Sequence, residues 1–177
     1  MYIWIAIDVN EQVRELRKFA ERYVKKHGST SPTLTLPFHI SLKISFRIPN
    51  EKCQEVICDI REYCKTLKPF TIPVEGLERS GTIIWLTMQE SEELNRIHED
   101  LDELLLTKYG VAQHMFDKSF VFHTSVLIMN DDEHLCKAYE EINGTPIPYE
   151  LKAERVIIGS STSGMAGTYC VNEEIIL

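Results

Sequence analysis

Apolar and polar positions along this chain follow two periods, and the switches between them mark out its elements. Residues 2–7 read Tyr-Ile-Trp-Ile-Ala-Ile, an apolar run ended by Asp8, as expected of a buried first strand. Asp8 with Glu11 has the form of a capping box that opens a helix. Val13, Leu16, Phe19, Ala20, Tyr23 and Val24 then recur at helical spacing to about residue 26. A loop over 28–37 contains Pro32 and Pro37, and a strand over about 38–47 is stopped by Pro49. Asn50 stands as the cap of a second helix with Cys53, Val56, Ile57, Ile60, Cys64 and Leu67 on one stripe. Strands follow at about 70–78 and 82–88. Ser91 caps a third helix carrying Leu94, Ile97, Leu101, Leu104 and Leu105. Another strand spans about 119–129, and Asp131 opens a shorter helix with Leu135, Ala138, Tyr139 and Ile142, closed by Gly144. Two last strands, about 147–158 and 167–176, flank a Gly/Ser-rich turn over 159–167.

Adjacent strands in this order must pair antiparallel, so the pattern predicts an α+β fold rather than a doubly wound parallel sheet. The chain shows neither a low-complexity segment nor a clear linker, so residues 1–177 read as one domain.

Within this pattern one phrase is written twice. Residues 38–44 read Phe-His-Ile-Ser-Leu-Lys-Ile and residues 122–128 read Phe-His-Thr-Ser-Val-Leu-Ile. Alternate side chains of a strand share a face. His39, Ser41 and Lys43 are therefore expected on one face, and Phe38, Ile40, Leu42 and Ile44 on the other. In the second copy His123 and Ser125 share a face opposite Phe122, Val126 and Ile128. The bare His-x-Ser spacing also occurs at His27-Gly28-Ser29, but there it follows a helix and enters a loop, so it reads as a helix stop. His98, His114 and His134 read as structural or exposed.

Two imidazoles and two hydroxyls on matching strands are parts for acid–base chemistry on a phosphate ester. Cleaving a cyclic phosphodiester takes a proton from water and gives one to a sugar oxygen. A neutral imidazole and an imidazolium can do both near neutral pH. The hydroxyls of Ser41 and Ser125 suit the non-bridging oxygens, where charge grows in the transition state. Lys43 is a further candidate for phosphate binding. Trp85 and Tyr169 could offer a base a stacking surface, and backbone N–H groups of the 159–167 turn could cradle phosphate. In each case a simpler reading competes: packed aromatics, and a plain hairpin loop.

Charge narrows the partners. A net charge of −8 and a pI near 5.3 argue against a surface that grips extended nucleic acid. A small nucleotide or an RNA end remains compatible. The acidic excess lies largely in the helical stretch 90–103, which reads as a solvated face. No apolar run reaches the roughly 20 residues needed to span a bilayer, and the N-terminus reads as a strand rather than a signal peptide. The five cysteines are odd in number and lack C-x-x-C spacing, which points to reduced thiols in the cytoplasm, without a disulfide framework or a zinc site.

At the paired motifs the chain resembles the two-histidine (2H) phosphoesterase superfamily, whose best-known branch is the RNA 2′,3′-cyclic phosphodiesterases, also called 2′-5′ RNA ligases. The opening strand and helix, the strand Thr82–Thr87 before a helix, the 84-position spacing from His39 to His123, and the late Gly/Ser turn before Tyr169 are similar as well. The resemblance implies two pseudo-symmetric lobes of antiparallel sheet, helices outside, and a central cleft bearing both motifs. It implies hydrolysis of 2′,3′-cyclic or 2′-5′-linked nucleotides, reversible ligation of RNA ends, no metal and no cofactor, with His39 as general acid and His123 as general base. Relatives that act on RNA often carry an arginine after the second motif, where this chain has Leu127 and Ile128. A monomer is expected. Two alternatives are a nucleotide-binding module on the same scaffold without turnover, and a metal-dependent hydrolase. The second draws on clusters such as His98-Glu99-Asp100, expected on an exposed helix without convincing ligand geometry.

Overall fold

The computed structural model describes residues 1–177. Eight strands and four helices follow the chain as β1 (Tyr2–Asp8), α1 (Arg14–Lys26), β2 (His39–Arg47), α2 (Cys53–Cys64), β3 (Phe70–Ser80), β4 (Ile83–Met88), α3 (Glu92–Tyr109), β5 (His123–Ile128), α4 (Asp132–Ile142), β6 (Glu150–Ala153), β7 (Arg155–Ser161) and β8 (Cys170–Ile176). Short 3-10 turns at Pro32–Thr35 and Met115–Ser119 precede the two motif strands. The expected α+β class holds.

The strands form two antiparallel four-stranded sheets, ordered β2-β1-β7-β8 and β5-β4-β3-β6. The run strand–helix–3-10 turn–strand occurs twice, as β1-α1-β2 and as β4-α3-β5, and each time the motif strand is a sheet edge. After its second helix each half crosses over: β3 pairs with β4 in the second sheet, and β7 with β1 in the first. The helices cross as well, with α3 packed on β2 and α1 on β5.

Exchange on this scale leaves one shared interior. Thirty-nine buried hydrophobic residues drawn from both sheets and all four helices form a single contiguous cluster. The β1 strand is buried on both faces: Ile3, Ile5 and Ile7 enter that cluster, while Trp4 and Ala6 pack with Ile157 on the other side. This is why its sequence is an unbroken apolar run rather than an alternating one. No helix is long and apolar enough to cross a membrane. All five thiols are free, and burial pushes that of Cys64 up to about 12.

Several sequence expectations are met at helix ends. Ser91 accepts from the Leu94 amide at 3.3 Å, and Asp131 accepts from the His134 amide at 3.0 Å. Others are corrected. Asp8 accepts from the Asn10 amide at 2.9 Å, a local turn, and α1 starts only at Arg14 without a side-chain cap. Asn50 gives its oxygen to the Met1 ammonium at 2.9 Å, and α2 is preceded by a 3-10 turn instead. The single strand expected over 147–158 is two strands, because the chain leaves one sheet at Ala153 and joins the other at Arg155. In the late turn, Ser161 accepts from the amides of Ser163 and Gly164 at 3.2 and 3.0 Å, and Ser163 accepts from Met165. The loop thus uses these donors on its own hydroxyls, which favours the plain hairpin over a phosphate cradle.

Candidate active site

Each motif strand carries an extra residue at the same place, and β2 carries a second one further on, between Lys43 and Phe46. Across β1, Ala6 faces Ser41 and Ile5 faces Lys43, so Leu42 is extra. Across β4, Trp85 faces Ser125 and Ile84 faces Leu127, so Val126 is extra. These are β-bulges at matching places of the repeated phrase, and a bulge inverts the faces of the residues beyond it.

The inversion corrects the face assignment. His39 and Ser41 point to the cleft as alternation requires, and so does Ile44, which simple alternation buries. Ile128 lines the cleft in the same way. Lys43 turns inward and is only 2% exposed, its ammonium bonded to the carboxylates of Asp102 and Asp117. Lys43 is therefore not brought to the cleft that His39 and Ser41 line. Its counterpart in the other lobe is Leu127, fully buried in the core. Asp102 is the one buried acid of the 90–103 stretch, and His98 is buried beside it rather than on an exposed helix face.

The cleft has a volume of about 310 Å³. His39, Ser41 and Ser45 from β2 line one side, Ser125 and Ile128 from β5 another, and Pro32, Thr33 and Leu36 from the loop before β2 a third. Trp4 and Tyr169 complete it, with ring centroids 6.4 Å apart, and the Tyr169 hydroxyl meets Ser45. The lining contains no Lys, Arg, Asp or Glu.

Both motif imidazoles are held alike. The Nδ1 of His39 donates to the Pro37 carbonyl at 2.7 Å, and the Nδ1 of His123 donates to the Val121 carbonyl at 2.8 Å. A carbonyl only accepts, so the proton of each neutral ring sits on Nδ1 and Nε2 keeps a free lone pair. Each ring also leans on an indole: Trp4 meets His39 at 4.5 Å between centroids, and Trp85 meets His123 at 4.4 Å. Desolvation pushes His39 down to about 4; the Pro37 carbonyl opposes this, the charge of His123 adds to it, and Asp8 opposes it. Desolvation lowers His123 too, against its Val121 hydrogen bond. Both shifts favour the neutral ring in the free protein.

The structure thus brings His39, Ser41 and Ser125 to one cleft, with His123 near enough for its charge to act on His39. Sequence reading missed Trp4. Its signal was present, since Trp4 falls on the face of β1 opposite the Ile3, Ile5, Ile7 stripe. It also missed the residues that support the bulges. Thr33 donates to the Val126 carbonyl at 3.1 Å, and Ser31 accepts from the Ile128 amide at 3.0 Å. Those contacts join residues more than 90 positions apart and leave no local pattern.

Comparison with known proteins points the same way. A profile described as the 2′-5′ RNA ligase superfamily matches residues 3–164. A Bacillus licheniformis protein provisionally named a phosphoesterase is 27% identical over 125 residues, 68% of this chain and 69% of the relative. A Bacillus pumilus protein with the same provisional name is 27% identical over 125 residues, 68% of each chain. The crystal structure of TT0787 of Thermus thermophilus superposes with a TM-score of 0.68 at 20% identity, over 100% of this chain and 98% of that one. Escherichia coli LigT in complex with 3′-AMP gives 0.60 at 17% identity, over 99% and 97%. Usb1 of Kluyveromyces marxianus gives 0.52 at 12%, over 99% and 98%. At these identities the structural likeness is one of fold. LigT itself has been crystallised with 3′-AMP, ATP and NADP+.

Proposed function

This chain belongs to the 2′-5′ RNA ligase superfamily, and from that premise we propose that it is a metal-independent phosphodiesterase acting on 2′,3′-cyclic or 2′-5′-linked nucleotides. The two-histidine resemblance read from the motifs agrees with that membership. The observation that carries the proposal is the pair of matched imidazoles, each with Nδ1 tied to a carbonyl and Nε2 free, His39 lining one cleft with the hydroxyls of Ser41 and Ser125 and His123 close enough for its charge to act on His39.

One imidazole takes a proton from water as the water oxygen bonds to phosphorus. The other gives its proton to the sugar oxygen as the P–O bond breaks. The two rings end with their protonation states exchanged and reset through solvent. By the family resemblance His39 is the acid and His123 the base. A ring as hard to protonate as His39 is a strong acid once it holds a proton, and the substrate's own negative charge favours that state. Ser41 and Ser125 donate to the non-bridging oxygens.

The lining suits a diester of small size. A phosphodiester carries one negative charge, which one imidazolium balances; with no Lys or Arg on the lining, a second charge has no partner there. Trp4 and Tyr169 offer an apolar wall for a base or ribose. The same absence of fixed cations favours a second reading, a module that binds a nucleotide without turnover.

The test is hydrolysis of 2′,3′-cyclic mononucleotides and short 2′-5′-linked oligonucleotides in excess EDTA, beside His39→Ala/His123→Ala. Turnover by wild type alone is expected, with each single variant reduced at least about 10²-fold. Unimpaired turnover by either single variant would overturn the proposal. Nucleotide binding without product would replace it by the second reading.

A further inference from the structure

The bulge that follows Ser41 displaces a carbonyl. In each lobe the carbonyl of the extra residue is met by a side chain from the other lobe. Thr33 reaches Val126, and His98 on α3 donates from Nδ1 to Leu42 at 2.7 Å. Behind Leu42 the next residue, Lys43, is drawn inward by Asp102 and Asp117. These acids are themselves held, Asp102 by Gln113 at 2.9 Å and Asp117 by the His114 amide at 2.6 Å. His98 closes the group, its Nε2 lying 3.4 Å from the Asp117 carbonyl and 3.8 Å from the Asp102 carboxylate. His98, Asp102 and Asp117 also have the spacing of metal ligands, but the Lys43 ammonium lies among the two carboxylates a metal would use.

The fold does not require charge at this place. The second lobe makes the same bulge and buries Leu127 where the first buries Lys43. A buried ion cluster is also weak evidence of stabilisation, since apolar replacements often do as well. What it supplies is a fixed register: Lys43 has one place where its charge is compensated, so β2 cannot slip by a residue. We infer that His98 is a positioning residue for the reaction, latching the Leu42 carbonyl so that Ser41 and His39 keep their aim into the cleft. The inference rests on the functional reading above.

Three substitutions separate this role from packing. His98→Phe keeps the ring stacked on Phe120, now 4.5 Å away between centroids, and removes the donor. His98→Asn places an amide N–H where Nδ1 was. His98→Gln is as polar but places its amide nearer the position of Nε2, and it serves as the test if the Phe variant does not fold. Turnover of a 2′,3′-cyclic nucleotide is expected to lose about tenfold or more in kcat in the Phe and Gln variants, with KM within about twofold, and to recover in the Asn variant. In NMR spectra the Ser41 amide and His39 ring signals are expected to move in the Phe and Gln variants while those of His123 stay.

A kcat loss of equal size in all three, tracking only a lowered Tm, would overturn the inference. So would wild-type kcat in folded His98→Phe. If wild type shows no turnover, the functional reading fails, and the NMR comparison still decides the positioning: signals that stay at His39 and Ser41, or move equally at His123, reject it.

Discussion

His39 and His123 differ in chemistry from free histidine because burial removes water from their rings while leaving each a single carbonyl partner. A depressed imidazole has a definite sign in pH dependence. Between about 6.5 and about 4 the unfolded chain binds the proton more readily than folded His39, so stability falls as pH drops through that window and is fully present above it. The upper bound from His39 alone is about 3 kcal/mol, reduced by its partial exposure. Thermal melts across pH 4–7 are expected to show this slope in wild type and a flatter one in His39→Phe. Kinetics should carry the same signature. The kcat/KM profile, which reports the free protein, is expected to centre below pH 6.5, and the kcat profile to lie at higher pH, where bound anion raises both rings. Coincident profiles centred above about 7 would contradict this account.

At the scale of elements, the site depends on how closely strands approach. Trp4 faces Gly159 across the β1/β7 pair, and a Cβ at Gly159 would collide with the Trp4 ring and lie 2.9 Å from the Cys170 carbonyl. The glycine is therefore a matter of space, with no special backbone angle involved. It lets the indole lie close against β7 and meet the His39 ring at 76° between planes. Gly159→Ala is expected to displace Trp4, cost about 1–3 kcal/mol as overpacking does, and lower kcat by more than the Tm change explains. Near-UV circular dichroism and turnover measured together would check it; unchanged tryptophan signals with unchanged kcat would show that the indole is not supporting His39.

For the whole molecule, the exchanged strands and helices make the two sheets energetically one body. Because a single apolar cluster runs through both, the lobes have no separate interiors to melt independently. Differential scanning calorimetry is expected to give one transition with equal calorimetric and van't Hoff enthalpies. Leu101→Ala, emptying a fully buried place on α3, is expected to cost about 2–5 kcal/mol and move that transition without splitting it. Two resolved transitions would mean that the lobes are separate folding units.

Much of this was already written along the chain. Periodicity located every helix stripe and most strands, because burial of one face is a local demand that each element meets with its own residues. The repeated Phe-His-x-Ser phrase located both imidazoles and both hydroxyls for the same reason: up to Ser41 and Ser125 the strands alternate regularly. Beyond those serines the sequence could not say which way a side chain points. A bulge is decided by the partner strand and by whatever captures the displaced carbonyl, here His98 for Leu42 and Thr33 for Val126, and these residues are distant in the chain. So Lys43, apparently aligned with the site, is buried against two aspartates, and Ile44 and Ile128, apparently core, line the cleft. The sequence by itself determined which reactive side chains the chain carries and on which strands they stand. Tertiary structure decided which of those groups face the same space, since only pairing between distant strands sets register.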